Sequence, residues 1–524
     1  MSVYTWLDYR VQLRNDLTNN VCQCKNKHIE KAVNNMQSLI LAIEQEENYL
    51  WYKGNPDYLM WFYTRGIVEN GFQNIFNQYL ARNWTSYYWT KSALESEIKR
   101  THSGLPRQAI VFLDRALGDP IIKCKDKDKD KLLEKIFKAN NGNATMSKQK
   151  RLDMAIGDGA YIININQELS DYPLFEYIDG RDIQFENVGD KITAVIFCKR
   201  YTYNDTIYTC FERRTTERKK VLLKGYKTYA VNERALFVND SKKGFIQVPL
   251  DSIPQTKDLQ ERETFKDIPF MLAVPCIREI DDETKRGVSM FRGRIDLFDD
   301  LDQSLSQESN TMRAITPVEY VDSNLLEKDK EGNPIMPSAF GKQYITYKGG
   351  NSYSDDPKGV MTTFYNVDFN KLSIEAQEGV SRCLNGWISP ASFGFDISRK
   401  DNALAQREKE KITLQTLKDF KEYEVDVIEQ LGKALLTCYD LMTKSKFEYI
   451  DYEIEVAFKD YATPTLSEKI NTYKDAVKDG VMSVDRFILE CYGDESPESQ
   501  DREKQAILQS LNKSKFNFNF TEEE

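Results

Sequence analysis

The stretch Arg294-Ile-Asp-Leu-Phe-Asp-Asp-Leu-Asp-Gln-Ser-Leu-Ser306 decides how this chain is organised. Apolar side chains recur through it and its flanks at three- and four-residue steps: Phe291, Ile295, Phe298, Leu301, Leu305 and Met312. That spacing is typical of an amphipathic helix. The other faces are acidic: Asp296, Asp299, Asp300, Asp302 and Glu308. The pattern predicts a helix over residues 287–313, roughly 40 Å long at the α-helical rise.

Residues 315–368, which follow this helix, have a different texture. Prolines and glycines punctuate them: Pro317, Pro334, Pro337, Pro357, Gly332, Gly341, Gly349, Gly350 and Gly359. Short β-rich pieces lie between these breaks at 318–321 and 344–347, which indicates a small β module. Helical spacing returns over residues 369–388 and predicts a second helix. The resulting arrangement is a β module inserted between two helices.

The segments further along the chain in both directions complete a mixed α+β fold. Helical spacing over residues 26–50 precedes a β-rich region at 157–275, whose charged breaks favour an antiparallel sheet with one solvated face. A loop at 389–397 leads into a long helix that ends near residue 444, and a strand follows at 452–458. Thr465 and Ser483 are typical first residues of two further helices.

The net charge, the hydropathy and the cysteine content limit which partners and which cross-links can be expected. The 524 residues carry a formal net charge of −10, and 40% of them are hydrophobic. Proteins that hold DNA tightly are usually basic, so a DNA partner would not be held firmly over a large surface. The sequence has no apolar run long enough to span a bilayer and no secretory pattern, which predicts cytosolic synthesis and no membrane partner. The nine cysteines are scattered, so a disulfide framework is not expected.

Motifs that carry chemistry are scarce. The sequence contains no G-x-x-x-x-G-K-[ST] phosphate loop, and Gly287-Val-Ser-Met-Phe291 fails the G-x-S-x-G pattern at its last position. The two histidines, His28 and His102, are far apart in the sequence. Cys22 and Cys24 near His28 are interpreted as ordinary reduced thiols, because the second half of a zinc ligand set is missing. The chain is therefore predicted to be no enzyme and to use no metal or cofactor.

Several stretches, taken in order, carry a resemblance to a known family. They are Gly157-Asp-Gly-Ala-Tyr161, Ile268-Pro-Phe-Met271, the acidic stretch 294–306, Asp401-Asn-Ala-Leu-Ala-Gln-Arg-Glu408, and Phe458 with Leu466-Ser-Glu-Lys469 and Gly480-Val-Met-Ser483. Over most of residues 30–495 the chain resembles the portal proteins of long-tailed bacteriophages of Gram-positive hosts. It departs from that family at Asp401-Asn402, where a Ser-Gly pair is usual.

The resemblance implies a division of the chain into the parts of a portal subunit. These parts are residues 1–286 as the wing, 287–313 as the first stem helix, 314–368 as the clip, 369–388 as the second stem helix, 389–403 as the tunnel loop, 404–459 as a long wing or crown-base helix with a strand, and 460–524 as the crown and C-terminal tail.

The resemblance also implies a function and partners. Portal proteins form a ring, typically of twelve subunits, at one vertex of the capsid in the virion, and double-stranded DNA passes through it during packaging and ejection. The clip would dock the large terminase first and the head-tail adaptor later. Major capsid and scaffolding proteins are further expected partners, and the chain would be made in the host cytoplasm.

Candidate site residues follow from this division. Those expected near channel DNA are Ser389, Ser392, Arg399, Lys400, Asn402, Asp296, Asp299 and Asp300. An acidic stem would repel phosphates and leave moving DNA untrapped, whereas Arg399 and Lys400 would make transient phosphate contacts. For those two cations a salt bridge or a solvated helical turn is the alternative. In the clip, Lys342, Lys348 and Lys358 would meet an acidic partner, with ordinary surface lysines as the alternative.

Two other functions compete with the channel. One is a nucleic-acid-processing enzyme that uses clustered carboxylates and a divalent metal, since acidic residues abound in the sequence. The other is a component of the head-tail connection that forms no channel. Magnesium-dependent nuclease or ATPase activity would favour the enzyme, and formation of a closed ring distinguishes a portal from the component that forms no channel.

Overall fold

The computed structural model describes residues 39–63, 87–89, 100–221, 225–240, 244–314, 318–322, 326–332, 335, 343–347, 360–363, 369–393, 410–444, 446–458, 470, 473, 477, 482–492 and 501–508. The chain divides into two compact units, Met1–Phe458 and Lys459–Glu524.

The predicted α+β class is confirmed, since helices and strands are mixed along the first unit. Its helices are α1 (Leu39–Lys53), α2 (Pro56–Trp61), α3 (Leu105–Leu117), α4 (Lys127–Ala139), α5 (Gly142–Ile156), α6 (Ile295–Ala314), α7 (Phe369–Leu384) and α8 (Lys411–Thr443). Its strands are β1 (Pro120–Cys124), β2 (Asp158–Asn164), β3 (Leu174–Asp179), β4 (Ile183–Val188), β5 (Lys191–Tyr203), β6 (Thr206–Val221), β7 (Gly225–Asp240), β8 (Gly244–Val248), β9 (Arg262–Lys266), β10 (Ala273–Ile277), β11 (Val318–Asp322), β12 (Gln343–Tyr347), β13 (Val360–Thr363) and β14 (Ile454–Phe458).

The strands among the described residues form four sheets. The largest is antiparallel, in the order β4-β5-β6-β7-β8, and β9 pairs with β7 beside it. A second sheet has the order β10-β2-β3, and a third joins β1 to β14. The fourth lies between α6 and α7 in the sequence and has β11 at its centre, parallel to β12 and antiparallel to β13. A small β module therefore occurs between two helices, at the position that the sequence indicates.

The main hydrophobic core gathers the helices around the β10-β2-β3 sheet. Large aromatic residues described in α1 and after it belong to this core, because Trp51, Trp61, Phe62 and Trp89 are all buried. The 33-residue helix α8 contributes a long buried stripe: Leu417, Phe420, Val427, Leu431, Leu435 and Cys438. These aromatic side chains therefore pack inside the protein, where they are not placed to stack on bases.

A backbone crossing joins the start of β2 to the segment that leads into α6. The backbone segments at Gly157 and Gly287 are so close that a Cβ on Gly287 would lie 2.1 Å from the Gly157 carbonyl oxygen. Asp158 beside the crossing is fully buried. Its carboxylate accepts two hydrogen bonds from the Arg286 guanidinium, at 2.6 and 2.8 Å, and one from the Gly287 amide at 2.8 Å. Glycine is required at both crossing positions because no side chain fits there.

Three boundaries differ from the sequence prediction. Helix α6 begins at Ile295 and not at 287, because residues 287–290 bind residues 154–158 and Gly293 adopts a left-handed φ of 72°. Helix α7 ends at Leu384 and not at 388, since Gly386 has a φ of 84°. The alternating charges of residues 125–131 favour a solvated turn, but the chain continues from Asp126 into α4, where the Asp126 carboxylate accepts hydrogen bonds from the Asp128 and Lys129 amides.

The second unit is described in part. Helix α9 (Val484–Tyr492) follows Ser483, whose side chain accepts a hydrogen bond from the Arg486 amide at 3.3 Å. The cap predicted at Ser483 is therefore present, whereas Thr465 lies outside the described residues. Phe487, Ile488 and Cys491 form the small hydrophobic core of this unit. No helix in the described parts of either unit is long and apolar enough to cross a membrane.

Candidate functional site

The candidate site is the pair of helices α6 and α7 with the small sheet between them and the loop that follows α7. The helices pack against each other at the end nearest the main core. The Arg294 guanidinium, just before α6, donates to the carbonyls of Asn385 at 2.7 Å and Cys383 at 3.4 Å. On the facing side, Gly379 of α7 leaves room for Leu301, whose methyl carbon would be 3.2 Å from an added Cβ. The start of α6 and the end of α7 are therefore fixed to each other.

The predicted channel acids of α6 do not share one environment. Asp296 and Asp300 are exposed, and Asp296 accepts a hydrogen bond from the Tyr87 hydroxyl. Asp299 is buried and accepts a hydrogen bond from the Tyr88 amide at 2.8 Å. Burial, together with the neighbouring Asp302, raises the pKa of Asp299 to about 7. Asp299 therefore binds the protein's own backbone, and its burial leaves it no position from which to repel channel DNA, which corrects that prediction. Asp296 and Asp300 remain predictions.

Asp302 is the centre of a buried network that fastens α6 to the segment before α3. One carboxylate oxygen lies 2.6 Å from His102 Nδ1 and 3.2 Å from Trp89 Nε1, and the other accepts from the Ser103 amide at 2.8 Å. One turn later, Ser306 Oγ accepts from the Thr101 amide at 2.8 Å. A buried carboxylate with this many donors is satisfied, so its role is structural. The acidic face of α6 is in large part an attachment to the core.

The loop after α7 is tied to the first turns of α8. The Ser389 amide donates to Thr413 Oγ1 at 2.8 Å, and Ser392 Oγ lies 2.9 Å from the same hydroxyl. Ser389 is buried and cannot contact DNA, which corrects that prediction. Ser392 is partly exposed and remains a prediction. The remaining predicted site residues lie outside the described residues: Arg399, Lys400, Asn402, Lys342, Lys348 and Lys358.

Sequence reasoning missed the residues that hold this region together. Thr413 and Arg294 had no motif to mark them, because each acts through a contact with a distant loop. His102 could have been noticed as one of two histidines in a chain rich in acids. Arg286 could have been noticed because it stands next to Gly287. A glycine permits a close backbone approach, and an arginine is the cation best suited to a buried ion pair.

Asp299→Asn tests the corrected role of this acid. At pH 8 the Asp299 carboxylate is charged in a buried position, whereas asparagine keeps the acceptor for the Tyr88 amide without the charge. We expect the variant to be more stable at pH 8 by on the order of 2 kcal/mol, since each tenfold change in proton affinity is worth about 1.4 kcal/mol. Denaturant unfolding at pH 8 measures this, and the exposed Asp300→Asn is the control. An equal effect of both variants would contradict the buried role.

In the described parts of the chain, His, Cys, Asp and Glu side chains form no group of three that could hold a metal ion. No protein-family model matches the chain, and no curated protein matches it.

Proposed function

We propose that the chain is a subunit of a ring-shaped portal channel for double-stranded DNA. The observation that carries the proposal is the arrangement of α6 and α7, helices of 20 and 16 residues joined through the separate β12-β11-β13 sheet and followed by the 33-residue α8. A helix pair ending in a small β module is the layout expected of a stem and clip. The acidic total charge supports a conduit through which DNA slides, because few phosphate contacts would retain it.

Exposed apolar side chains support assembly through this region. On the helix pair, Met312 and Ile374 are 52% and 54% exposed. On the β module, Ile335 and Ile345 are 52% and 45% exposed. Exposed apolar side chains that form one patch are typical of surfaces that another protein covers. In the proposed ring the covering protein is the neighbouring subunit. Docking of the large terminase, the head-tail adaptor, and the capsid and scaffolding proteins belongs to the same proposal.

Ring formation tests the proposal directly. Native mass spectrometry and electron microscopy of the purified full chain are expected to find a closed ring of about a dozen copies, since closed cyclic symmetry is the usual form of a homo-oligomer. A chain that stays monomeric across protein and salt concentrations would contradict the proposal. Magnesium-dependent nuclease activity of the same preparation would favour the rival enzyme.

A double variant, Met312→Glu with Ile374→Glu, links ring formation to the helix pair. We expect the variant to shift the population from rings to monomers by at least about tenfold, because burial of one large apolar side chain is worth roughly 1.5–3 kcal/mol. Leu169→Glu is the matched control, since Leu169 is 75% exposed in a turn outside the helix pair. Rings that survive the double variant unchanged would place the subunit contact elsewhere.

A further inference from the structure

A two-stranded ribbon extends from one end of the largest sheet. Pairing of β5 with β6 stops at Thr215, and pairing of β9 with β7 stops at Tyr229. The pairing of β6 with β7 continues past both positions, to Val221 opposite Gly225. Among the described residues, 218–221 and 225–228 are therefore paired only with each other. Four residues at the rise of a β-strand give this ribbon a length of about 13 Å.

The ribbon is basic although the chain is acidic. Arg218, Lys219 and Lys220 are consecutive and exposed, and Lys227 lies directly opposite Lys219. Lys266 of β9 is also exposed, at the base of the ribbon opposite Tyr229. Two carboxylates accompany these five cations: Glu217 is 3.7 Å from Lys219, and Asp267 is 2.8 Å from Lys227. Like charges directly opposite each other destabilise a sheet. Folding of the ribbon alone therefore gives no reason for this arrangement.

The cations point away from both faces of the ribbon. Side chains alternate along a strand, so Arg218 and Lys220 share one face, whereas Lys219 and its cross-strand neighbour Lys227 share the other. The Lys219 ammonium lies 5.5 Å from the centre of the Tyr229 ring on that second face. A flat anionic surface could meet only one of these two sets. A groove with phosphates along both walls could meet both of them at once.

We propose that the β6–β7 ribbon binds the phosphate backbone of duplex DNA. The major groove of B-DNA is wide enough to admit a two-stranded β-ribbon. Each cation that neutralises a phosphate releases a counterion, which gives affinity without sequence preference. The contact is confined to one small basic element in a chain of net charge −10, so the binding is weak and strongly dependent on salt. The inference does not rest on the proposed channel, because the ribbon lies within one chain and would bind DNA in a subunit that forms no ring.

The test measures binding of the full chain to a fluorescent duplex of about 25 base pairs, a length that covers more than two turns of B-DNA. Anisotropy titrations are made over a series of KCl concentrations. The variant replaces Arg218, Lys219 and Lys220 by glutamine. The control makes the same replacement at Lys131, Lys135 and Lys138, which are exposed on α4. Both variants remove three positive charges, so the effect of net charge alone is the same in each.

We expect the ribbon variant to lose at least about tenfold in duplex affinity near 50 mM KCl. The slope of log affinity against log salt should become shallower by about 2 to 3, since each lost phosphate contact contributes about 0.9. Lys220→Gln alone should change the slope by about 1. The control should keep the wild-type slope.

Equal losses in the ribbon variant and the α4 control would overturn the proposal, as would a wild-type affinity that does not depend on salt. Parallel measurements with vesicles of anionic lipid and with polyglutamate separate other anionic partners. Ribbon-dependent binding to either of them without ribbon-dependent binding to duplex would also overturn the proposal. Ring counts by native mass spectrometry on the same samples keep a failure of the ribbon distinct from a failure of the channel.

Discussion

Replacement of Arg286 by methionine is expected to lower the free energy of unfolding of the 1–458 unit by about 3–5 kcal/mol, the usual cost of breaking a buried ion pair. The Arg286 guanidinium is the charged partner of the fully buried Asp158 carboxylate. It also donates to the Gly180 carbonyl at 2.8 Å and to the Ile183 carbonyl at 3.3 Å. Methionine fills a similar volume but leaves the carboxylate charged and removes the guanidinium that donates to these acceptors.

Urea unfolding followed by tryptophan fluorescence measures this change. Arg382→Met is the matched control, because Arg382 pairs with Glu378 at 3.2 Å on an exposed helix face, and such pairs are worth about 0.3–0.5 kcal/mol. Adding Asp158→Asn to Arg286→Met should recover part of the loss, since the uncompensated charge is then removed. Equal costs for Arg286→Met and Arg382→Met would show that the buried pair does not stabilise the crossing of Gly157 and Gly287.

Raising the pH is expected to lower the free energy of unfolding through a second buried cluster, which contains the carboxyl groups of Asp153 and Glu424. Gln149 lies between them and donates to Asp153 Oδ2 at 2.5 Å and to Glu424 Oε1 at 2.9 Å. Burial raises the pKa of Glu424 to about 7, and burial with the nearby Glu424 carboxylate raises the pKa of Asp153 well above its usual range. Tyr177 and Tyr423 donate to Asp153 and offset part of its shift.

The sign of the pH effect follows from the direction of these shifts. A carboxyl group with a raised folded-state pKa binds its proton more tightly in the folded chain than in the unfolded chain. Its contribution to stability is therefore complete below its unfolded pKa, near 4.5 for Glu424, and is lost as the pH rises through about 7. Asp153 acts in the same direction, because its pKa is also raised. This part of the molecule is most stable in mild acid.

Glu424→Gln isolates the contribution of one group. Glutamine keeps the acceptor for Gln149 but has no proton to lose, so the variant should match the wild type at pH 5. At pH 8 it should be more stable by on the order of 3 kcal/mol, since each tenfold change in proton affinity is worth about 1.4 kcal/mol. Thermal unfolding at a series of pH values measures this, with Glu422→Gln, exposed on the same helix, as the control. A constant difference between variant and wild type across the series would refute the role of Glu424.

The sequence predicts what depends on local periodicity. The apolar spacing from Phe291 to Met312 indicates α6, and the breaks at 315–368 indicate a β module before α7. The α+β class follows from the same signals. Periodicity could not show that Asp299 and Asp302 face the core, because an acidic helix face carries no sign of whether water or buried donors meet it. Their partners, Tyr88 and His102, lie about 200 residues away in the sequence. No local pattern links them.

The apolar spacing also could not predict where the helices begin and end. Phe291 fits the apolar stripe of α6, yet it lies before the first turn, because Ser289 Oγ accepts from its amide at 3.0 Å and Gly293 breaks the helix. Ser389 and Ser392 similarly gave no sign of Thr413, the residue that both of them contact. These positions are fixed by tertiary hydrogen bonds, which override the local preference for helix or loop.

The crossing of Gly157 and Gly287 has a mechanical consequence for the helix pair. A contact between two backbones contains no side chain that could change rotamer to absorb a displacement. Any displacement of α6 relative to this crossing must therefore be taken up by backbone rotations in the residues between Gly287 and Ile295. Gly293 is suited to take it up, because its φ is 72° and no atom lies within 4 Å of the position of a Cβ. Arg294, bound to the Asn385 carbonyl, would carry the end of α7 along with α6. The start of α6 and the end of α7 would therefore move together, along with the segment before α3 that the Asp302 carboxylate binds.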